Sequence, residues 1–303
     1  MRKIYAYLYQ YLYEEFELRI YAGLAALLFL GIYIRYAIGY DTYFTNEDYR
    51  PLKGLLFYCI PYFGTILLIS IFKKEWHFFK KTRFWLLSAA ILFVLVINQY
   101  GLIYDSFLKT LNPLTYSFTS KLGFNLFTAF IYVLIPLIYY VFEQQKGAWY
   151  GLTLKGFDYR PYLMMLVFMF PLLLWASYRP DFLSVYPRYV PTLAEYYWNV
   201  SPILTVAGYE LSYVLQFICL ELFFRGFMVM SLEKYLKASA ILPMVCVYAF
   251  IHFGKPMPET LGSIFGGFIL GVIALRTRSI FGGACIHIGI ALMMELLAWV
   301  QMK

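Results

Sequence analysis

Long apolar stretches separated by short polar loops make up most of this chain. A helix that crosses a bilayer needs about 20 mostly apolar residues. Candidate segments lie near residues 19–36, 54–72, 84–104, 122–142, 161–177, 202–230, 239–253, 261–275 and 280–300. The pattern predicts nine membrane helices, with eight as the alternative. The segments 239–253 and 261–275 are short for full spans, so we expect them to be partly buried in protein.

The composition agrees with a membrane location. Hydrophobic residues make up 62% of the chain and charged residues 14%, whereas soluble domains carry about 25% charged residues. The predicted fold class is an all-α, polytopic transmembrane helical bundle of 8–9 helices, with a polar cavity formed by the C-terminal helices. Within this one continuous bundle, residues 1–200 are expected to supply N-terminal helices and a cavity wall, and residues 201–303 the functional core.

The loop charges predict an orientation. Basic residues recur in alternate loops, all on the side of Arg2 and Lys3, which predicts a cytoplasmic N-terminus because positive loops stay inside. The same loops account for the net charge of +8 without nucleic acid as a partner. We therefore expect a multi-pass protein in a lipid bilayer, in the plasma (inner) membrane of a bacterium, and no nucleic-acid binding.

Two further features concern packing in the second half of the chain. The segment 178–200 contains three prolines and is predicted to be an extracytoplasmic surface loop or lid. The segment near 261–275 carries glycines at small-x-x-x-small spacing, which predicts close approach to a neighbouring helix. These glycines are Gly262, Gly266, Gly267 and Gly271.

Four polar side chains lie inside strongly apolar stretches of the C-terminal third: Glu221, Arg225, His252 and His287. Such groups are costly in a membrane interior and persist there mainly where they face a bundle interior and have a function. Glu221 and Arg225 are four residues apart and share a helix face, so alone they indicate an ion pair that holds helices together. A lone buried histidine is more often a core residue. Two histidines and a carboxylate on successive apolar segments instead predict a site that binds zinc or activates water.

The order and spacing of these residues resemble the CAAX-protease and bacteriocin-processing family of intramembrane proteases, also called CPBP or Abi. That family carries Glu-Glu-x-x-x-Arg, then Phe-x-x-x-His, then His-x-x-x-Asn on successive membrane helices. The resemblance covers about a third of the chain, from Tyr209 to Trp299. It implies a helical bundle with a cavity, peptide-bond hydrolysis within the membrane, and catalytic roles for Glu221, His252 and His287.

This chain departs from the family pattern at three positions. Leu220 stands where the resemblance places the water-activating glutamate, and Ala291 stands where it places an asparagine beside the oxyanion. Tyr248 replaces the family phenylalanine, which we take as a mild change. Loss of a carboxylate base and an oxyanion donor lowers a rate by orders of magnitude. Glu221 cannot simply replace the missing base, because one residue turns a helix by about 100°.

Two other carboxylates are candidates for the missing one. Glu259 follows His252 by seven residues, and Glu295 lies two turns beyond His287 in an apolar helix. Because Lys255 is close to Glu259 in sequence, the favoured interpretation of Glu259 is a solvated loop charge. We assign Glu259 and Glu295, together with Arg225, to supporting roles.

Two functional hypotheses follow. The first is a membrane endopeptidase that hydrolyses a peptide bond in a membrane-associated or lipid-modified substrate, with an atypical and impaired site. Zinc is its candidate cofactor, with His252 and His287 as candidate ligands, which would make it a metalloprotease; a metal-free, glutamate-dependent mechanism is the alternative. The second is an inactive pseudo-protease that binds a transmembrane or lipidated peptide, or serves as a subunit of a larger membrane complex.

Overall fold

The computed structural model describes residues 2–39, 50–100, 107–143 and 148–302, and the regular structure in these ranges is helical. The main helices are α1 (Arg2–Glu15), α2 (Leu18–Tyr33), α3 (Arg50–Lys73), α4 (Thr82–Tyr100), α5 (Tyr116–Phe142), α6 (Arg160–Ser177), α7 (Pro202–Glu221), α8 (Val229–Leu236), α9 (Ile241–Ile251), α10 (Met257–Thr277) and α11 (Phe281–Gln301). The predicted all-α polytopic bundle is confirmed. The division at residue 200 stays a prediction.

In the described ranges, seven helical stretches are long and apolar enough to cross a membrane. One of them, Pro202–Ile251, joins two segments that the sequence pattern predicted as separate spans. The predicted segment 84–104 corresponds to a shorter apolar helix, Thr82–Asn98. Residues 101–104 of the predicted segment lie outside the described residues. The chain is therefore a multi-pass membrane protein, with the long stretch 202–251 at its centre.

Helix α9 is the buried centre of the bundle. Its 11 residues span roughly 16 Å at about 1.5 Å per residue, too little to cross a hydrocarbon core of about 30 Å. Every residue from Ile241 to Phe250 is buried, and α9 packs against α10, α3 and α2. The segment 239–253 is therefore enclosed by protein, as its length suggested. Helix α10, with 21 residues, is long enough to span, unlike the shorter segment predicted there.

One end of the bundle gathers the basic loops that were predicted to share a side. Ion pairs tie these loops to acidic residues of α1 and of neighbouring helix ends: Lys73 to Glu15, Lys237 to Glu75 and Arg276 to Glu14, each at 2.6 Å. Partly exposed pairs of this kind contribute little stability, but they place the N-terminal helix and three loops together. Which membrane face this end occupies stays a prediction.

Only half of the glycine face of α10 packs against a helix. A Cβ atom on Gly271 would lie 2.8 Å from both Ile241 and Met244, so this glycine permits close contact between α10 and α9. Around Gly262 and Gly266, by contrast, a Cβ would meet nothing within 4 Å. The expectation that all these glycines serve helix packing is therefore corrected, because Gly262 and Gly266 border open space.

Candidate functional site

A π-helical turn places the Glu221 and Arg225 pair at the centre of the bundle. Helix α7 ends at Glu221 and continues as a π-helix over Leu222–Met228, an irregularity that often marks functional positions. Both side chains are fully buried, and Arg225 Nη1 lies 2.9 Å from Glu221 Oε1. The guanidinium also stacks 4.4 Å from the ring centroid of Tyr248. The two charges therefore neutralise each other inside the protein.

The Glu221 carboxylate also contacts His287. Glu221 Oε1 lies 2.6 Å from His287 Nδ1, and the imidazole stacks on Phe217 with ring centroids 5.2 Å apart. The contact depends on Gly283, because a Cβ there would lie 1.9 Å from Glu221 Oε2. Glu221 thus serves both Arg225 and His287, and it is not among the residues that line the cavity described below.

Tyr248 connects the two histidines. Its hydroxyl lies 2.6 Å from His287 Nε2, and its backbone carbonyl lies 2.8 Å from His252 Nδ1. Its ring centroid is 4.5 Å from that of His252 and 5.8 Å from that of His287. The exchange of phenylalanine for tyrosine at this position is therefore not mild, since the added hydroxyl contacts one of the motif histidines directly.

His252 caps the C-terminal end of α9 and is buried. Its carbonyl accepts a hydrogen bond from Thr260 Oγ1 at 2.7 Å, which fixes the turn into α10. Because Nδ1 faces a carbonyl, which only accepts, Nδ1 carries the proton and Nε2 has the free lone pair in the neutral ring. Burial lowers the pKa of His252 well below its usual value, and the charge of Lys255 lowers it further. His252 is therefore neutral near pH 7.

Both histidines line a cavity of about 480 Å³ bounded by α6, α9, α10 and α11. Its walls are mostly apolar and include Met165, Met169, Leu172, Ile269, Leu270 and Ile290. Its polar edge includes Arg225, Tyr248, His252 and His287, while Gly262 and Gly266 keep the α10 wall open. The volume falls within the range of about 300–1,000 Å³ typical of ligand pockets.

The segment 178–200 lies over one end of this cavity. Phe182 and Tyr186 are buried and line it, and the Tyr186 hydroxyl donates a hydrogen bond to Glu259 at 3.1 Å. Glu259 also pairs with Lys255 at 2.6 Å. Of the two predicted forms, the lid describes this segment better than a free surface loop. Glu259, interpreted as a solvated loop charge, instead borders the cavity in the first turn of α10.

Glu295 lies apart from the histidines. It is buried, and both of its carboxylate oxygens accept hydrogen bonds from the Arg188 backbone N–H at 3.0 Å. It is not among the cavity-lining residues, so it holds the segment 178–200 against α11. Of the two candidate replacement carboxylates, only Glu259 shares the cavity with His252 and His287.

The two missing family residues fall in different surroundings. Ala291 lines the cavity, at a place where a methyl group offers no hydrogen bond. Leu220 packs against the main apolar core and is not a lining residue. Ala291 therefore forms part of the apolar cavity wall, whereas Leu220 contributes to packing in the core.

The side chains as arranged do not fit a metal ion. In the described parts of the chain, no group of three or more His, Cys, Asp or Glu residues is placed to hold one. His287 has Glu221 on one ring nitrogen and Tyr248 on the other, and a zinc site needs three or four protein ligands. Zinc therefore stays a prediction that the donor set does not favour.

Several contributors to the site were not predicted from the sequence. Phe217, Gly283 and Tyr186 carry no periodic or motif signal, because each matters only through contacts across the bundle. Tyr248 did carry a signal, since it differs from the family pattern at a motif position. Because tyrosine adds a hydroxyl at that position, a contact between Tyr248 and a polar neighbour could have been predicted.

Comparison with known proteins supports the resemblance. Residues 202–293, just under a third of the chain, match the family described as Rce1-like, type II CAAX prenyl endopeptidase Rce1-like. This match runs from the start of α7 into α11, contains Glu221, His252 and His287, and agrees with the predicted CAAX-protease and bacteriocin-processing family. No curated protein and no solved structure matches the chain.

Proposed function

We propose that this membrane protein, similar over residues 202–293 to type II CAAX prenyl endopeptidases, binds the apolar part of a lipid-modified or membrane-embedded peptide in its cavity without cleaving it. One observation carries the proposal. The one carboxylate of the motif, that of Glu221, contacts Arg225 and His287 and does not line the cavity, whose walls are mostly apolar.

The resemblance implies that hydrolysis in the family starts from a glutamate that activates water. Leu220 stands at that position in this chain. Glu221 does not replace it, because it is fully buried and does not line the cavity. Its Oε1 is already engaged by Arg225 and His287. The motif therefore supplies no carboxylate to a bound peptide.

Stabilisation of the oxyanion is reduced as well. Ala291 stands where the resemblance implies an asparagine, and its methyl side chain donates no hydrogen bond. Removal of one such donor costs on the order of 10²–10³ in kcat. Together with the missing base, this argues for a protein that retains the family cavity for binding.

The cavity lining favours a flexible apolar chain as the occupant, such as a lipid chain or a short apolar peptide segment, because its walls are mostly apolar. Met165 and Met169 suit such a flexible occupant, because methionine adapts to irregular surfaces.

Peptide-bond hydrolysis is the second candidate, and one observation favours it. The free lone pair of His252 Nε2, on a ring that borders the cavity, is a base available to a water molecule. Glu259 is a carboxylate on the same cavity. In this case His252→Gln and Glu259→Gln should each abolish cleavage. Zinc belongs to this candidate and would have to recruit ligands beyond those arranged here.

A binding measurement tests the proposal. The purified protein in detergent is titrated into a fluorescent farnesylated peptide, and anisotropy reports binding. We expect saturable binding that Gly266→Leu abolishes, because the new side chain projects into the open cavity wall. Leu261→Phe is the matched control, since Leu261 lies on the same helix, is exposed and does not line the cavity. Equal binding by the wild type and Gly266→Leu would contradict the proposal.

The location of the protein is a proposal as well. The basic loops indicate a cytoplasmic N-terminus, and we expect the protein in the inner membrane of a bacterium. A partner protein within the membrane is an alternative occupant, and co-purification of a defined protein that Gly266→Leu releases would identify it.

A further inference from the structure

One residue, Tyr248, contacts both motif histidines through different atoms. Its hydroxyl lies 2.6 Å from His287 Nε2, and its carbonyl lies 2.8 Å from His252 Nδ1. The ring itself is held by Arg225 on its face at 4.4 Å and by Phe224 at a centroid distance of 5.2 Å. The phenol is therefore fixed from several sides.

Hydrogen-bond chemistry assigns the protons. A carboxylate paired with arginine only accepts, so His287 donates its Nδ1–H to Glu221. The neutral imidazole then has its lone pair on Nε2, and Tyr248 donates its O–H to that lone pair. His287 is left without a nitrogen that faces an open space.

We infer that Tyr248 is a positioning residue whose hydroxyl closes His287 to metal ions and to water, so that His252 Nε2 is the acceptor nitrogen of this pair that stays open to the cavity. The inference concerns the same site as the proposed function but does not depend on it, because it holds whether the occupant is bound or cleaved. It also gives a physical reason why these side chains do not fit a metal.

Removal of one oxygen atom should reverse the closure. In Tyr248→Phe the ring keeps its packing against Arg225 and Phe224, while His287 Nε2 loses its donor. Two imidazole lone pairs, from His252 and His287, then border one cavity. Neutral imidazole is a common ligand of zinc and cadmium. The variant should therefore gain metal affinity that the wild type lacks.

Imidazole nitrogen NMR tests the proton assignment directly. The chain has three histidines, and His77→Gln and His252→Gln variants assign their signals in ¹⁵N-histidine protein. In the wild type we expect His287 to be neutral, with its proton on Nδ1 and a hydrogen-bonded Nε2. In Tyr248→Phe the Nε2 resonance should move to the position of a free lone pair. A proton on Nε2 of wild-type His287 would overturn the inference.

Metal titration by calorimetry tests the consequence. We expect Tyr248→Phe to bind Cd²⁺ at least about tenfold more tightly than the wild type, a change typical of altered ligand surroundings. Adding His252→Gln to the variant should remove the gain. Tyr62→Phe is the matched control, because it also removes a buried hydroxyl, the one 3.0 Å from Ser88, but far along the chain from the histidines.

Two outcomes would overturn the inference here. One is wild-type Cd²⁺ affinity equal to that of Tyr248→Phe, and the other is an equal gain in Tyr62→Phe. If Tyr248→Phe does not accumulate in membranes, the wild-type NMR spectrum decides alone, since it reads the protonation of His287 without any substitution at Tyr248.

Discussion

The Glu221 carboxylate occupies the space that a side chain at Gly283 would fill. Its Oε2 atom lies 1.9 Å from the ideal Cβ position on Gly283, far inside van der Waals contact. The close approach of α11 to the end of α7 is what lets Glu221 reach His287. The geometry of the polar cluster therefore depends on Gly283, because any side chain larger than hydrogen at that position would displace the Glu221 carboxylate.

Gly283→Ala should destabilise the protein by about 1–3 kcal/mol, because the added methyl group overpacks a rigid, buried contact. Thermal unfolding in detergent measures the change. Gly262→Ala is the control on α10, where a Cβ meets nothing within 4 Å, and it should be neutral or slightly stabilising since alanine favours helix. Equal stability of the two variants would contradict the contact between Gly283 and Glu221.

Arg225→Ala should cost on the order of 3–5 kcal/mol, because it leaves the buried Glu221 carboxylate without its counter-charge. Membrane yield and thermal stability should both fall. Lys237→Ala breaks an exposed pair with Glu75 and should cost about 1 kcal/mol or less. Normal yield of Arg225→Ala together with lost function would assign Arg225 to the functional chemistry instead.

Gly271→Leu and Gly266→Leu should differ although the two glycines lie five residues apart on one helix. Leucine at 271 meets Ile241 and Met244, so it should separate α10 from α9 and lower stability by about 1–3 kcal/mol or more. Leucine at 266 enters open space and should leave stability unchanged while blocking the cavity. Unfolding of each variant, compared with its peptide binding, separates the two effects.

The stability of the protein should fall as the pH drops below about 6.5. Burial lowers the pKa of His252 below its usual value of 6.5, so in this window the unfolded chain binds a proton that the folded chain does not. Each pH unit then costs up to about 1.4 kcal/mol. His252→Gln should flatten this part of the profile, as measured by unfolding at several pH values. An unchanged slope would show that His252 is not buried in its neutral form.

The membrane bundle could be predicted well from the sequence, because apolar runs of bilayer length carry that information locally. The burial of α9 was also foreseeable from its length. The motif pointed to Glu221, His252 and His287, and these do meet through Tyr248. The roles that the sequence could not supply are those of Gly283, Phe217 and Tyr186, because they arise from contacts between distant helices.

The carboxylates show the same limit. Glu259 and Glu295 were both candidates by sequence, and Glu259 was the less favoured one because the nearby Lys255 indicated a solvated loop charge. Helix packing separates them, because α10 begins at the cavity while the two-turn interval carries Glu295 towards Arg188. The turn between His252 and Pro256 decides where Glu259 lies, and its course depends on Thr260 binding the His252 carbonyl.

The most direct measurement is mass spectrometry of a farnesylated peptide after incubation with an excess of the purified wild-type protein. The account predicts that the peptide binds and is recovered intact, alike with the wild type and with the His252→Gln, His287→Gln double variant. Two peptide fragments formed by the wild type and absent with the double variant would contradict it, and would make this protein an active peptidase.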